Sequence, residues 1–256
     1  MDHVQQSPAG TDFPAVRTID AGRPLQWLRL GVADMKRALA TSLAYGALIA
    51  AFGVVLLALA WNAAYLVPAL VGGFLLVAPF VAIVLYDLSR QIERGGPIDS
   101  RAAFFAWQRN TGQIALFGLI LTLTLILWER LSAIIFALFY GGEVASVGTL
   151  VADVLFSGKY TALALAYFGI GGLVALAVFA IGVVTAPMLL DRDVDVITAA
   201  VTSVRCCLRN PGPLFVWAVL IALLTALGFA TFMIGLVVVF PIIGHATWHA
   251  YRDLVA

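Results

Sequence analysis

The feature that most constrains this chain is a set of six apolar stretches, at residues 43–61, 64–86, 112–128, 160–190, 214–230 and 232–249. A helix crossing a bilayer needs about 20 mostly apolar residues, because hydrocarbon offers no water to satisfy an open backbone. The expected fold class is therefore all-α, a polytopic membrane bundle of six transmembrane helices. Charged residues make up 11% of the 256, against about 25% in a soluble domain. Mean hydropathy is +1.02. Such a chain cannot cover a water-facing surface. Fifteen Lys and Arg against fourteen Asp and Glu leave a net charge of +1, which excludes the electrostatic footprint of a nucleic-acid-binding protein.

Positive residues set the expected orientation, since cytoplasmic loops retain Lys and Arg. Arg17, Arg23, Arg29, Lys36 and Arg37 precede the first span. Arg90, Arg94, Arg101 and Arg109 lie between the second and third, Arg192, Arg205 and Arg209 between the fourth and fifth, and Arg252 after the sixth. The other side has only Arg130 and Lys159. Both termini are thus expected on the cytoplasmic side of a multi-pass protein. Residues 1–24 are polar and interrupted by Pro8, Gly10, Pro14, Gly22 and Pro24, without the apolar core of a signal peptide. They read as a disordered cytoplasmic tail, ahead of a single integral membrane domain at 25–256. Residues 131–140, directly after Glu129 and Arg130, are too short an apolar run to span. They read as interfacial or re-entrant, or else as the continuation of one helix from about 113 to 140.

Spans two, four and six share a proline followed by polar residues at helical spacing: Pro79 before Tyr86 and Asp87, Pro187 before Asp191 and Asp193, Pro241 before His245 and His249. A short amphipathic segment precedes each pair of spans. In the clearest, 196–210, Thr198, Thr202, Arg205 and Arg209 mark one face and Ile197, Val201, Val204 and Leu208 the other. Such a helix belongs in the cytoplasmic interface. The counterparts are 29–41 and 101–110, the latter capped by Asp99 or Ser100. The architecture expected is three repeats of interfacial helix plus transmembrane hairpin, at about 29–95, 99–195 with an insertion at 129–159, and 196–254. No two glycines are four apart; Gly46 with Gly53 and Gly228 with Gly235 are seven apart, a spacing that suits left-handed helix packing.

Three stretches resemble a proteobacterial family of predicted integral membrane proteins, a domain of unknown function: 187–195 (PMLLDRDVD), 209–213 (RNPGP) and 241–252 (PIIGHATWHAYR). The resemblance covers about residues 25–254. It implies a bacterial inner-membrane location and no established activity, cofactor or catalytic residue.

Candidates for chemistry are few. His245 and His249, at i and i+4, share a helix face, the separation at which two imidazoles reach one metal. Asp191 and Asp195 follow span four at a similar depth. These four form the candidate site for a divalent transition metal; the competing reading places the histidines in an interfacial belt with Trp248 and Tyr251 and gives the aspartates to helix capping and ion pairing. Adjacent Cys206 and Cys207 read as free thiols used in packing. No span has an ionisable residue in its central turns, which disfavours ion-coupled transport. No phosphate-binding loop and no nucleophile with a base is visible. The expectation is a non-enzymatic protein of membrane organisation or assembly without a resident cofactor. Its partners would be the lipid bilayer and other membrane proteins or further copies of itself. The alternatives are a permease or exporter of a neutral or amphiphilic solute and a metal-binding membrane protein.

Overall fold

The computed structural model describes residues 13–60, 67–140, 154 and 157–256. The described residues form helices α1 (Arg23–Arg37), α2 (Leu39–Ala60), α3 (Val67–Glu93) and α4 (Ser100–Phe104), a 3-10 turn (Ala106–Asn110), then α5 (Thr111–Phe139), α6 (Thr161–Gly182), α7 (Thr185–Asp191), α8 (Val196–Arg209), α9 (Pro211–Ala230) and α10 (Leu236–Leu254). Among them there is no strand, only an isolated antiparallel bridge between Val16 and Val255.

Four stretches are long and apolar enough to cross a membrane: Leu39–Leu59, Ala106–Phe139, Thr161–Asp191 and Pro211–Ala230. The expectation of six spans is therefore met for four among the described residues. Helix α10 differs for a physical reason. Its second half carries His245, His249, Arg252 and Asp253 and is buried against α1, so this helix is the hub of the fold rather than a lipid-facing rod. The last turns of α3 likewise carry Asp87, Arg90 and Glu93. The connection between the first two expected spans, at residues 62–63, lies outside the described residues.

Glycines let the neighbours of α10 approach. A Cβ on Gly46 of α2 would fall inside the carbonyl of Val237, one on Gly31 of α1 would lie 2.7 Å from the Ile242 carbonyl oxygen, and one on Gly244 would meet Leu85 of α3. Backbone contact of this kind replaces the missing hydrophobic drive between helices in lipid. The heptad-spaced glycines serve it too, with Gly53 against Met233 and Gly228 against Leu236. Below these contacts lies an aromatic core in which Trp27 meets Trp217 edge-on, centroids 5.6 Å apart.

Three local expectations are corrected or decided. The stretch 13–22 is docked, so the tail does not extend to residue 24: the Arg17 amide donates to Leu254 (2.9 Å), the Ala256 amide to Ala15 (2.9 Å), and the Ile19 amide to Asn210 Oδ1 (2.9 Å). The cause is that Val16 and Ile19 pack against the core, which holds the backbone of the stretch against the chain end that follows α10. Residues 131–139 continue α5, which runs unbroken past the Glu129–Arg130 pair to Phe139. The fourth apolar stretch breaks at Val183 and Val184, four and three residues before Pro187, whose ring nitrogen cannot donate to the preceding turn. Ser203 of α8 satisfies the break, its hydroxyl donating to the Ala180 carbonyl (2.7 Å) and accepting from the Val184 amide (3.4 Å).

Candidate functional site: the polar layer around α10

The C-terminal half of α10, the ends of α3 and α7, and α1 converge at one level of the bundle and carry most of its paired charges. His245, at the middle of α10, is fully buried. Its Nε2 lies 2.9 Å from Ser42 Oγ in the first turn of α2, and its Nδ1 lies 2.8 Å from Ser89 Oγ near the end of α3. A neutral imidazole donates through one nitrogen and accepts at the other, so the two hydroxyls complete its bonding. One turn on, His249 Nε2 lies 2.8 Å from Oδ2 of the buried Asp34 in α1.

The carboxylates are paired in turn. Asp87, with no side-chain exposure, accepts from Arg109 (2.6 Å) and Gln91 (2.8 Å) and faces Arg90. Asp191 accepts from the Tyr251 hydroxyl (2.9 Å) and pairs with Arg90 (3.2 Å) and Arg252 (3.6 Å). Glu93 accepts from Trp248 Nε1 (2.9 Å) and Arg252 Nε (3.0 Å). Asp253 accepts from Trp27 Nε1 (2.6 Å) and from Arg23. Asp34 and Asp87 are buried, whereas the Glu93–Arg252 pair is over 40% exposed; the buried carboxylates persist because each finds such partners. The layer therefore fixes the relative positions of α1, α3, α7 and α10.

The four residues taken as a metal set are divided among separate tasks. Asp195 caps α8, accepting from the amides of Ile197 and Thr198 (2.9 Å each) and from the Thr198 hydroxyl (2.6 Å). That hydroxyl, with the two amides, holds its carboxyl below the usual carboxylate range. Asp191 belongs to the Arg90, Arg252 and Tyr251 cluster. The nitrogens of His245 face serines and Nε2 of His249 faces Asp34, so the shared helix face does not direct two lone pairs at one point. Among the described residues no three His, Cys, Asp or Glu side chains group as a metal site.

Sequence reasoning missed Ser42, Ser89 and Asp34 as partners of the histidines, since they lie 203, 156 and 215 positions away. The only trace was the position of Ser42 and Ser89 at the edges of apolar runs; Asp34, inside α1, had none. Cys206 is buried and Cys207 partly so. Burial, with Cys207 beside it, pushes the Cys206 thiol up to about 12, and burial pushes that of Cys207 to about 11. Both are neutral packing groups at neutral pH.

The outer faces of the long helices complete the class assignment. Leu119 and Leu123 of α5, Leu165 and Leu173 of α6, and Phe215 and Leu223 of α9 are all exposed, on helices of spanning length. This is an integral membrane protein with apolar helices that fit transmembrane spans. Residues 66–191 match the model of a family described as predicted integral membrane protein (DUF2189). The match takes in the 187–191 part of the first resemblance motif, while 209–213 and 241–252 lie beyond it. No curated protein and no solved structure matches the chain.

Proposed function

We propose that the chain is a non-enzymatic protein of the bacterial inner membrane that organises the surrounding bilayer or assists the assembly of other membrane proteins. The observation that carries this reading is the outward apolar surface of α5, α6 and α9 beside a polar layer whose carboxylates and histidines already have internal partners. An exposed face of this size must be covered by lipid or by another membrane protein, while the ionisable groups of the layer are engaged in holding helices together. Six spans in three units, with both termini cytoplasmic, remain the topology we favour. In its support, a short amphipathic element precedes two long helices three times in chain order, and residues 13–22 meet the chain end.

Deleting the gene and comparing the membrane proteome and lipid content tests the reading. A shifted proteome or heightened sensitivity to detergent and osmotic stress is expected; an unchanged envelope would contradict it. Transport of a neutral or amphiphilic solute is the second reading, motivated by the proline break before α7. The backbone groups at that break that bond to Ser203 are already engaged, which weighs against it. Solute flux into reconstituted vesicles above that of empty ones would reverse the order of the two.

A further inference from the structure

We infer that α8 and the docked N-terminal segment form a binding site for an anionic phospholipid, its phosphate held by Arg205 and Arg209 and its acyl chains lying along the outward apolar stripe of α8. The stripe is Ile197, Val201, Val204 and Leu208, spaced i, i+4, i+7 and i+11. Ile197 is 70% and Leu208 77% exposed, with Val201 and Val204 half-buried between them, while the opposite face, with Ala199, Thr202, Ser203 and Cys206, is buried. On a helix that packed only against its own bundle, this polarity would be reversed. Exposed leucine and isoleucine with arginines along one flank instead match a helix lying at the headgroup boundary.

The arginines line a groove of about 450 Å³ with Phe13, Pro14, Val16 and Leu208. The Arg205 guanidinium stacks over the Phe13 ring at 4.2 Å, and Arg209 Nε donates to Thr18 (2.9 Å). Both contacts fix the guanidinium planes. Among the described residues neither arginine has a carboxylate within ion-pair distance, whereas Arg23, Arg90, Arg109 and Arg252 each do. Two oriented, uncompensated guanidinium groups are a fitting receptor for a phosphodiester. Continuity fixes the occupant as lipid: α8 ends at Arg209, α9 begins at Pro211, and exposed Phe215 carries the apolar surface on into a membrane-spanning helix. The inference rests on the membrane location and not on an organising role, so an unchanged envelope in a deletion strain would leave it standing.

Two measurements on the full chain test it. The unmodified protein in phosphatidylglycerol-containing vesicles, in phosphatidylcholine vesicles, and in phosphatidylcholine vesicles with inorganic phosphate is treated with phenylglyoxal and the modified arginines are mapped. Arg205 and Arg209 should be shielded only in the first. Equal modification in all three overturns the proposal, and shielding by inorganic phosphate alone would show an anion site rather than a lipid site and overturn it as well. Native mass spectrometry then compares retention of the two lipids by the unmodified protein and by R205Q/R209Q. The preference for phosphatidylglycerol should fall about thirty-fold, the effect of two arginines near an anionic surface; an unchanged preference contradicts the assignment. A double variant that does not fold leaves the first measurement decisive.

Discussion

Where α10 ends, the described carboxylates of the polar layer meet donors from other elements; where α5 ends and α6 begins, the contacts are between rings. At that far end Trp128 meets Tyr167 with centroids 5.1 Å apart and Tyr140 meets Tyr160 at 4.6 Å, around a small cluster with Ile135 and Leu163. From Thr111 to Glu129 the helix rises about 27 Å, close to the roughly 30 Å of a hydrocarbon core. One end is thus a folded body defined by long-range polar contacts. The other is a hairpin whose outward faces rely on the medium around them. Specificity of fold is concentrated at one level of the bundle, and substitutions should act unequally at the two ends.

The largest contrast is expected between two glycines. Gly46→Ala places a methyl group inside the Val237 carbonyl and should destabilise by about 3 kcal/mol or more, with backbone rather than a flexible side chain in the way. In α6, Gly172 has open space around it, and Gly172→Ala should stabilise by up to about 1 kcal/mol through helix propensity. Thermal unfolding in detergent reads both. Equal effects would erase the distinction between hub and hairpin.

A second pair compares charges. Asp87→Asn removes the buried negative charge that faces Arg109 and Arg90 and replaces one of the two accepting oxygens with a donor, and should cost about 3 kcal/mol. Glu129→Gln, at the exposed pair with Arg130, should cost less than about 0.5 kcal/mol. His245→Ala comes next: it strands the hydroxyls of Ser42 and Ser89 in a buried site, for a loss of about 2 kcal/mol. If His245→Ala were neutral, the layer would not hold α2 and α3 to α10 as described.

Asp195→Ala has a smaller effect than His245→Ala, though a larger one than Glu129→Gln: it removes the α8 cap at a cost of about 1 kcal/mol. Because the folded carboxyl is held below its ordinary value, its contribution is fully present above the unfolded carboxylate pKa and is lost as pH falls through the lower folded one. The gap between the unmodified protein and Asp195→Ala should therefore be constant around neutrality and close only in strong acid. A gap that widened on acidification would reverse the sign of this assignment.

What was legible in the sequence was whatever depends on neighbours along the chain. Helix α8 runs from Val196 to Arg209, close to the 196–210 drawn from its periodicity, and Asp99 and Asp195 cap α4 and α8 because an acceptor two or three residues before a free amide needs no tertiary help. The heptad glycines marked real close approaches for the same reason. What escaped was set by distance: Asp34 for His249, Trp27 and Arg23 for Asp253, and the docking of 13–22 on the chain end. Identical spacing of His245 and His249 is compatible with one metal or with two unrelated partners. The choice depends on α1, α2 and α3, which no local pattern specifies. Periodicity likewise showed that α8 has an apolar face but not that this face turns away from the bundle.

Whether the hairpin of α5 and α6 meets lipid while the end carrying the polar layer meets water is read out by spin-label accessibility in a bilayer. On a background with Cys206 and Cys207 changed to Ala, single labels are placed at Leu119→Cys, Leu173→Cys and Asp20→Cys, all at exposed positions, and the protein is reconstituted. Molecular oxygen, which partitions into hydrocarbon, should relax the labels at 119 and 173 strongly and a water-soluble nickel chelate hardly at all, with the order reversed at 20. Nickel relaxing 119 or 173 as strongly as 20 would contradict the account, because those faces would then be wet.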